Sequence, residues 1–276
     1  MGPMTDRSRL AAGLRALRLR SGLSGQALGQ ALGWSQSKVS KLEQGTRGAS
    51  PADVAAWAEA VSATAQERAE LVALAQTVAT GRRSWWESHS AGLTGRQHEL
   101  AKAEALATRI MNFHPLLIPA LLQPDAYARR VLELANVTGE ADVAQATAAR
   151  VQRQAVLYKG TQCDFIIPEA ALRCRISDDP AIPLAVADRL ISAASMPTVG
   201  LAILPLDAAL PVLPVCGFGI FEIPGEPFAI VETLTDETIL TGARELRIYR
   251  EAFAALWQVA CTGSEARDLV RHATGV

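Results

Sequence analysis

The chain has 276 residues, 49% hydrophobic and 20% charged, with a formal net charge of −1; this balance excludes a disordered or low-complexity protein and suits two domains, each with its own core. No apolar run approaches the about 20 residues that cross a bilayer and the amino end lacks a signal-peptide core, so a cytoplasmic protein without a membrane partner is expected. The charge is unevenly divided: Arg7 to Arg47 holds eight cations against one acid, Glu43, for +7, which leaves −8 elsewhere. A basic end on an acidic body is the footprint of a nucleic-acid-binding module joined to something that does not bind nucleic acid.

In chain order, Asp6 to Ser21 predicts a helix with Leu10, Leu14 and Leu17 inward, ended by Gly22. Its arginines, Arg9, Arg15, Arg18 and Arg20, suit a solvated face at least as well as DNA contact. Ser24 caps a second helix whose apolar residues, Leu23, Ala27, Leu28, Ala31 and Leu32, recur at helical spacing, and Gly33 supplies a left-handed stop. A third helix opens near Ser35 and stops at Gly45, apolar only along Val39 and Leu42. Between those positions stand Gln36, Ser37, Lys38, Ser40 and Lys41, a polar, basic face of the kind that reads a major groove. A core hairpin with solvated polar residues explains the leucines but not this polar face. Ser50-Pro51-Ala52-Asp53 begins a fourth helix, to about Val61, and the capping box Thr64–Glu67 a fifth, with Leu71, Leu74 and Val78 inward, to about Thr80.

The string Leu23-Ser24-x-x-Ala27-Leu28-x-x-x-Leu32-Gly33-x-Ser35-Gln36-Ser37-x-Val39-Ser40-x-Leu42-Glu43-x-Gly45 resembles the helix-turn-helix of the lambda-repressor-like, XRE-type bacterial regulators. The resemblance implies that Gln36, Ser37, Lys38, Ser40 and Lys41 face the groove, that Arg47 and nearby amides hold phosphates, and that Gln26 and Ser35 complete the DNA-binding set. Two positions depart from the pattern. Gly25 stands where the family places a phosphate-touching Gln, with Gln26 one residue later, and Gly29 stands where Ala is commoner.

Gly81 to Gly95 is rich in small and polar residues and reads as a linker between domains at 1–80 and 96–276. Within it, at least one of Trp85 and Trp86 is expected to dock on the second domain, with stacking on a ligand as the alternative role for either. Helices are then expected over Arg96–Asn112, Asp125–Ala135, Glu140–Tyr158, Ile182–Ala194 and Gly242–Ala260, with a last short one from Ser264. Strands are expected at Cys163–Ile167, Thr198–Leu204, Cys216–Ile223 and Phe228–Leu234. The fold class is therefore an all-α first domain of five helices and an α+β second domain with a small, largely antiparallel sheet flanked by helices.

The resemblance extends through Trp85-Trp86, Pro115 to Arg129, Arg150-x-x-Arg153-Gln154 and Phe165 to Arg173, which look like the uncharacterised C-terminal domain of a large actinobacterial group of XRE-type regulators. Ala120 replaces a usual Gly there, and Pro168 a usual Asp or Glu. As a partner, the resemblance implies a small protein encoded next door. Arg150, Arg153, Glu169 and Arg173 could line a site for an anionic ligand or partner, or could be ion pairs that fix a helix to the sheet. Cys163, Cys174, Cys216 and Cys261 form no paired spacing and read as buried free thiols. His89, His98, His114 and His272 lack ligand spacing, and Gly217-x-Gly219 lacks a third glycine, so no catalysis, metal or cofactor is expected. The expected function is a sequence-specific transcriptional regulator, a homodimer on a two-fold DNA site, whose second domain senses a small ligand or dimerises; the alternative is the DNA-binding half of a two-gene pair.

Overall fold

The computed structural model describes residues 6–46, 48–80, 82–84, 92–137, 139, 142–232 and 236–275. The chain divides into two compact units, Met1–Arg82 and Arg83–Val276.

The first unit is helical: α1 (Asp6–Arg20), α2 (Gly25–Leu32), α3 (Gln36–Glu43), α4 (Pro51–Ala60) and α5 (Ala65–Thr80). The sequence-read caps hold their places. Ser24 and Ser35 accept from Ala27 N and Lys38 N, and Ser50 with Asp53 and Thr64 with Glu67 close capping boxes over α4 and α5. Leu10, Leu14, Leu17, Leu28, Val39, Leu42, Val54 and Val61 form the core around a fully buried Trp57, whose indole N–H donates to Leu14 O at 3.1 Å.

In the second unit the described strands line up in the order β1-β7-β6-β5-β2-β3-β4-β8. These are β1 (Arg82–Ser84), β2 (Arg109–Phe113), β3 (Gln162–Pro168), β4 (Val199–Leu204), β5 (Phe218–Glu222), β6 (Phe228–Glu232), β7 (Asp236–Leu240) and β8 (Cys261–Thr262). The sheet is largely antiparallel, as expected, but β2-β3 and β3-β4 are parallel, which requires crossovers through helices. Those are α7 (Asp125–Ala135), α8 (Val143–Arg153), α9 (Glu169–Arg173) and α10 (Ala181–Ala193). α6 (Gly92–Leu106) precedes β2, and α11 (Ala243–Val259) and α12 (Gly263–Thr274) follow the sheet strands β7 and β8. Alternate residues of the strands face two cores. Ile110, Phe165, Ile167, Leu201 and Ile203 pack with Leu190 of α10 and Val270 of α12, whereas Met111, Ile166, Ala202 and Ile220 pack with Leu246, Phe253 and Leu256 of α11.

Several boundaries differ from the sequence reading. The helix expected over Arg96–Asn112 ends at Leu106, and Arg109–Phe113 forms β2, paired with β3 on one side and β5 on the other. Pairing on both edges, with Ile110 and Met111 buried on opposite faces, outweighs the helical spacing of that stretch. The helix expected to run to Tyr158 tightens into a 3-10 turn at Gln154–Tyr158. Of the expected linker, Arg82–Ser84 form β1 and 92–95 open α6, while Trp85, Trp86 and Glu87 to Ala91 lie outside the described residues. Among the described residues no helix is long and apolar enough to cross a membrane.

Candidate nucleic-acid interface

The turn between α2 and α3 is closed by backbone geometry. Gly33 takes φ +66°, and its N–H and that of Trp34 donate to Gln30 O and Gly29 O at 3.2 and 2.7 Å, a pattern that uses the last carbonyls of α2. Gly29 is needed for this fit, because a Cβ there would lie 2.9 Å from Trp34 O, a backbone atom with little freedom to move. The departure from alanine noted above therefore goes with a tight approach between helices.

α3 is held from two sides. Arg18 of α1 grips Glu43 at the end of α3 with two hydrogen bonds, 2.5 and 2.9 Å, and also donates to Leu23 O at 2.8 Å; both charged side chains are only 12% exposed. Sharing those hydrogens raises the Arg18 pKa above its ordinary value. At the other end, Lys38 Nζ lies 2.7 Å from Asp53 of α4 and 3.5 Å from the centre of the Trp34 ring. Burial pushes the Asp53 carboxyl up, but hydrogen bonds from Lys38 and Ser50 hold it below the usual range. A charge-assisted hydrogen bond and a cation–π contact thus fix the start of α3.

The outer face of α3 is left open. Gln36, Ser37 and Lys41 are exposed and Ser40 is half-buried. Gln26 and Ser35 are exposed as well, the latter serving as N-cap. Lys38 is placed differently from its neighbours in the expected DNA-binding set, since its ammonium is engaged inside the unit. Arg47 lies outside the described residues. Gln44, which the sequence reading passed over, is exposed and donates to Ser40 Oγ at 3.1 Å. It continues the periodicity of Ser37, Ser40 and Lys41, and that periodicity was the signal that could have found it. Of the α1 arginines, Arg18 pairs with Glu43 and Arg20 with Glu67.

The four charged residues singled out in the second unit do not share one site. Arg153 of α8 makes a two-pronged ion pair with Glu104 of α6, at 2.5 and 3.0 Å, and also donates to Gln97. Both charged side chains of that pair are 5% exposed or less, so it pins α8 to α6. Glu169 accepts from Arg173 one turn along α9 and from Leu206 N; these bonds, the arginine's first, keep its carboxyl below the usual range. Arg173 stands at a cavity of about 390 Å³ lined with Ile118, Tyr127, Leu172 and Val186. Of the four, Arg150 alone has no charged partner among the described residues; it donates to Gln123 Oε1 at 3.0 Å.

A cap, a left-handed turn and a braced helix with an open polar face define the first unit as a helix-turn-helix, the DNA-binding class, carried on a chain with an α+β second unit. Residues 9–71 match the model of a helix-turn-helix domain. Residues 97–272, more than half of the chain, match a family described as a domain of unknown function (DUF5753), and the chain belongs to that family. Among curated proteins and solved structures, none matches it.

Proposed function

We propose that the protein is a cytoplasmic, non-enzymatic transcriptional regulator of the XRE type, from the actinobacterial group named above, that binds a two-fold DNA site as a homodimer. The observation that carries this reading is the face formed by Gln36, Ser37, Ser40, Lys41 and Gln44 on a helix fixed at both ends. Such a face meets base edges without ordering itself first, which lowers the entropic cost of binding. One module spans too few base pairs for specificity, so two copies on half-sites about one helical turn apart are expected. The second unit is then the sensor or the dimer surface, and an effector acts only if it binds the DNA-competent and incompetent states unequally. A selection from random duplexes, followed by footprinting, tests this. Gln36→Ala should relax preference at one position per half-site, and Lys41→Ala should weaken all sequences alike. Unchanged affinity and preference in both variants would remove α3 as the recognition helix.

A second reading, the DNA-binding half of a two-gene pair, is favoured by one feature. The loop between β4 and β5 exposes Leu206, Leu210, Leu213 and Val215 by 47–82%, an apolar run of the kind that marks protein contact. Co-purification of the product of a neighbouring gene, lost on Leu213→Ser, would support it; a complex unaffected by that change would count against this loop.

A further inference from the structure

The second unit pairs its buried Arg96 and Arg153 with Glu237 and Glu104, the half-buried Arg250 with Glu222 and the exposed Arg109 with Asp164. Arg150, Arg189 and Arg267 are half-buried without a carboxylate at ion-pairing distance among the described residues, and the first two are linked to one another. These two stand at the two ends of a glutamine bridge. Arg150 Nη1 donates to Gln123 Oε1 at 3.0 Å, the amide of Gln154 donates to Gln123 O at 2.6 Å, and Gln154 Oε1 accepts from Arg189 Nη2 at 2.9 Å. The bridge is fully used, since the Gln123 amide donates to Ile118 O at 2.7 Å. Both arginines nonetheless keep a buried Nε–H without a partner.

Two half-buried guanidinium groups with spare donors and no counter-charge are an unfavourable arrangement for a fold, because a cation taken out of water is destabilising unless it is paired. Glu232 at the end of β6 acts on Arg150 only at longer range, while burial, foremost, and then the neighbouring Arg153 press its pKa down to about 10. Neutral groups hold the two forks in position without cancelling their charge: Gln123 on Arg150, and Gln154 with the longer contacts to Leu121 O and Tyr158 Oη, 3.4 and 3.5 Å, on Arg189. A planar oxyanion is the ligand that guanidinium forks match in geometry and charge.

We infer that Arg150 and Arg189, positioned by Gln123 and Gln154, bind a small multivalent oxyanion, a dicarboxylate or a phosphate. This deepens the sensor reading above by giving the effector a chemical class, and it rests on that reading for its link to DNA binding. Its test uses no DNA, so the two fail separately. The full-length protein is titrated calorimetrically with succinate and, separately, with inorganic phosphate, at ionic strength held constant with chloride. Saturable binding of either supports the site, and which one binds tells carboxylate from phosphate. Arg150→Gln and Arg189→Gln should each weaken binding at least tenfold, as loss of one charged hydrogen bond implies. Arg129→Gln, on an exposed face, should not. Should Arg150→Gln unfold, as circular dichroism would reveal, Arg189→Gln decides the matter. Absence of saturable heat with both anions, or wild-type affinity in Arg189→Gln, overturns the inference.

Discussion

Lys38 and Lys41 stand three residues apart on α3, and the structure assigns them different work, so replacing each should leave different marks. Lys38→Met removes the 2.7 Å bond to Asp53 and the cation–π contact with Trp34. The paired side chains are 20% and 22% exposed, so solvent screening trims the ion pair to about 1 kcal/mol, and the ring contact adds about 1 more. A loss of about 2 kcal/mol lowers the melting temperature of a domain this size by about 8–16 °C. Because the ammonium is engaged inside the unit, the salt dependence of DNA affinity should hardly change. Lys41→Gln should do the reverse, leaving stability within about 0.5 kcal/mol and flattening the log–log salt slope by about 0.9. Fluorescence anisotropy over a salt series, with thermal melts of the same samples, measures both. A salt slope reduced by about one in Lys38→Met, with an unchanged melt, would refute the assignment.

Three further outcomes are expected. Arg153→Met should cost about 3–5 kcal/mol in urea unfolding, since it strands the Glu104 carboxylate in the core; a partial recovery in Arg153→Met with Glu104→Leu would show that the stranded charge is the cause. His114 Nδ1 accepts from Leu116 N and Leu117 N, and burial holds its pKa below 6.5 despite the opposing pull of Glu232. The folded state therefore resists a proton that the unfolded state takes, so stability is complete above the unfolded pKa of about 6.5 and is lost as pH falls from there toward the folded value. The denaturant midpoint should track this, and His114→Asn should flatten that part of the pH profile. Burial pushes the Cys163 thiol up to about 12, so at pH about 8 a thiol-specific reagent should label Cys174, Cys216 and Cys261 well before it. Equal rates would contradict its placement.

The first unit was legible because its punctuation is local. Ser24, Ser35, Ser50 and Gly33 each act on backbone groups within a few residues, and the caps they predict are the caps observed. β2 and β7 were not, for opposite reasons. Arg109–Phe113 is paired on both edges and buried on both faces, so it shows no alternation, only an apolar tail to a helix. Asp236–Leu240 opens with two acids and was assigned no element, yet Glu237 is buried against Arg96, far away in sequence. The α3 face came from spacing, whereas Lys38 could not be set apart from Lys41, since Asp53 meets it only in the folded unit. Arg189 was missed because its signal is a missing counter-charge, a property of what surrounds a residue.

The topology of the second unit also bears on how the protein is made. The core of the first unit draws on residues 10–78 alone, and short helices joined by tight turns close quickly. In the second unit Arg109 has to find both Gln162 and Glu222 before β2 is paired on its two edges, and long-range pairing of this kind is slow. Synthesis of the 194 residues beyond Arg82 takes about 10–40 s at ordinary translation rates. During that interval the ribosome carries a finished module of ten cations against six acids, net +4 over residues 1–82, while the unit beyond it, 17 cations against 22 acids and net −5, is still being added. The nascent chain is a net cation beside ribosomal RNA, and it reaches neutrality only at Glu232, late in the acidic unit.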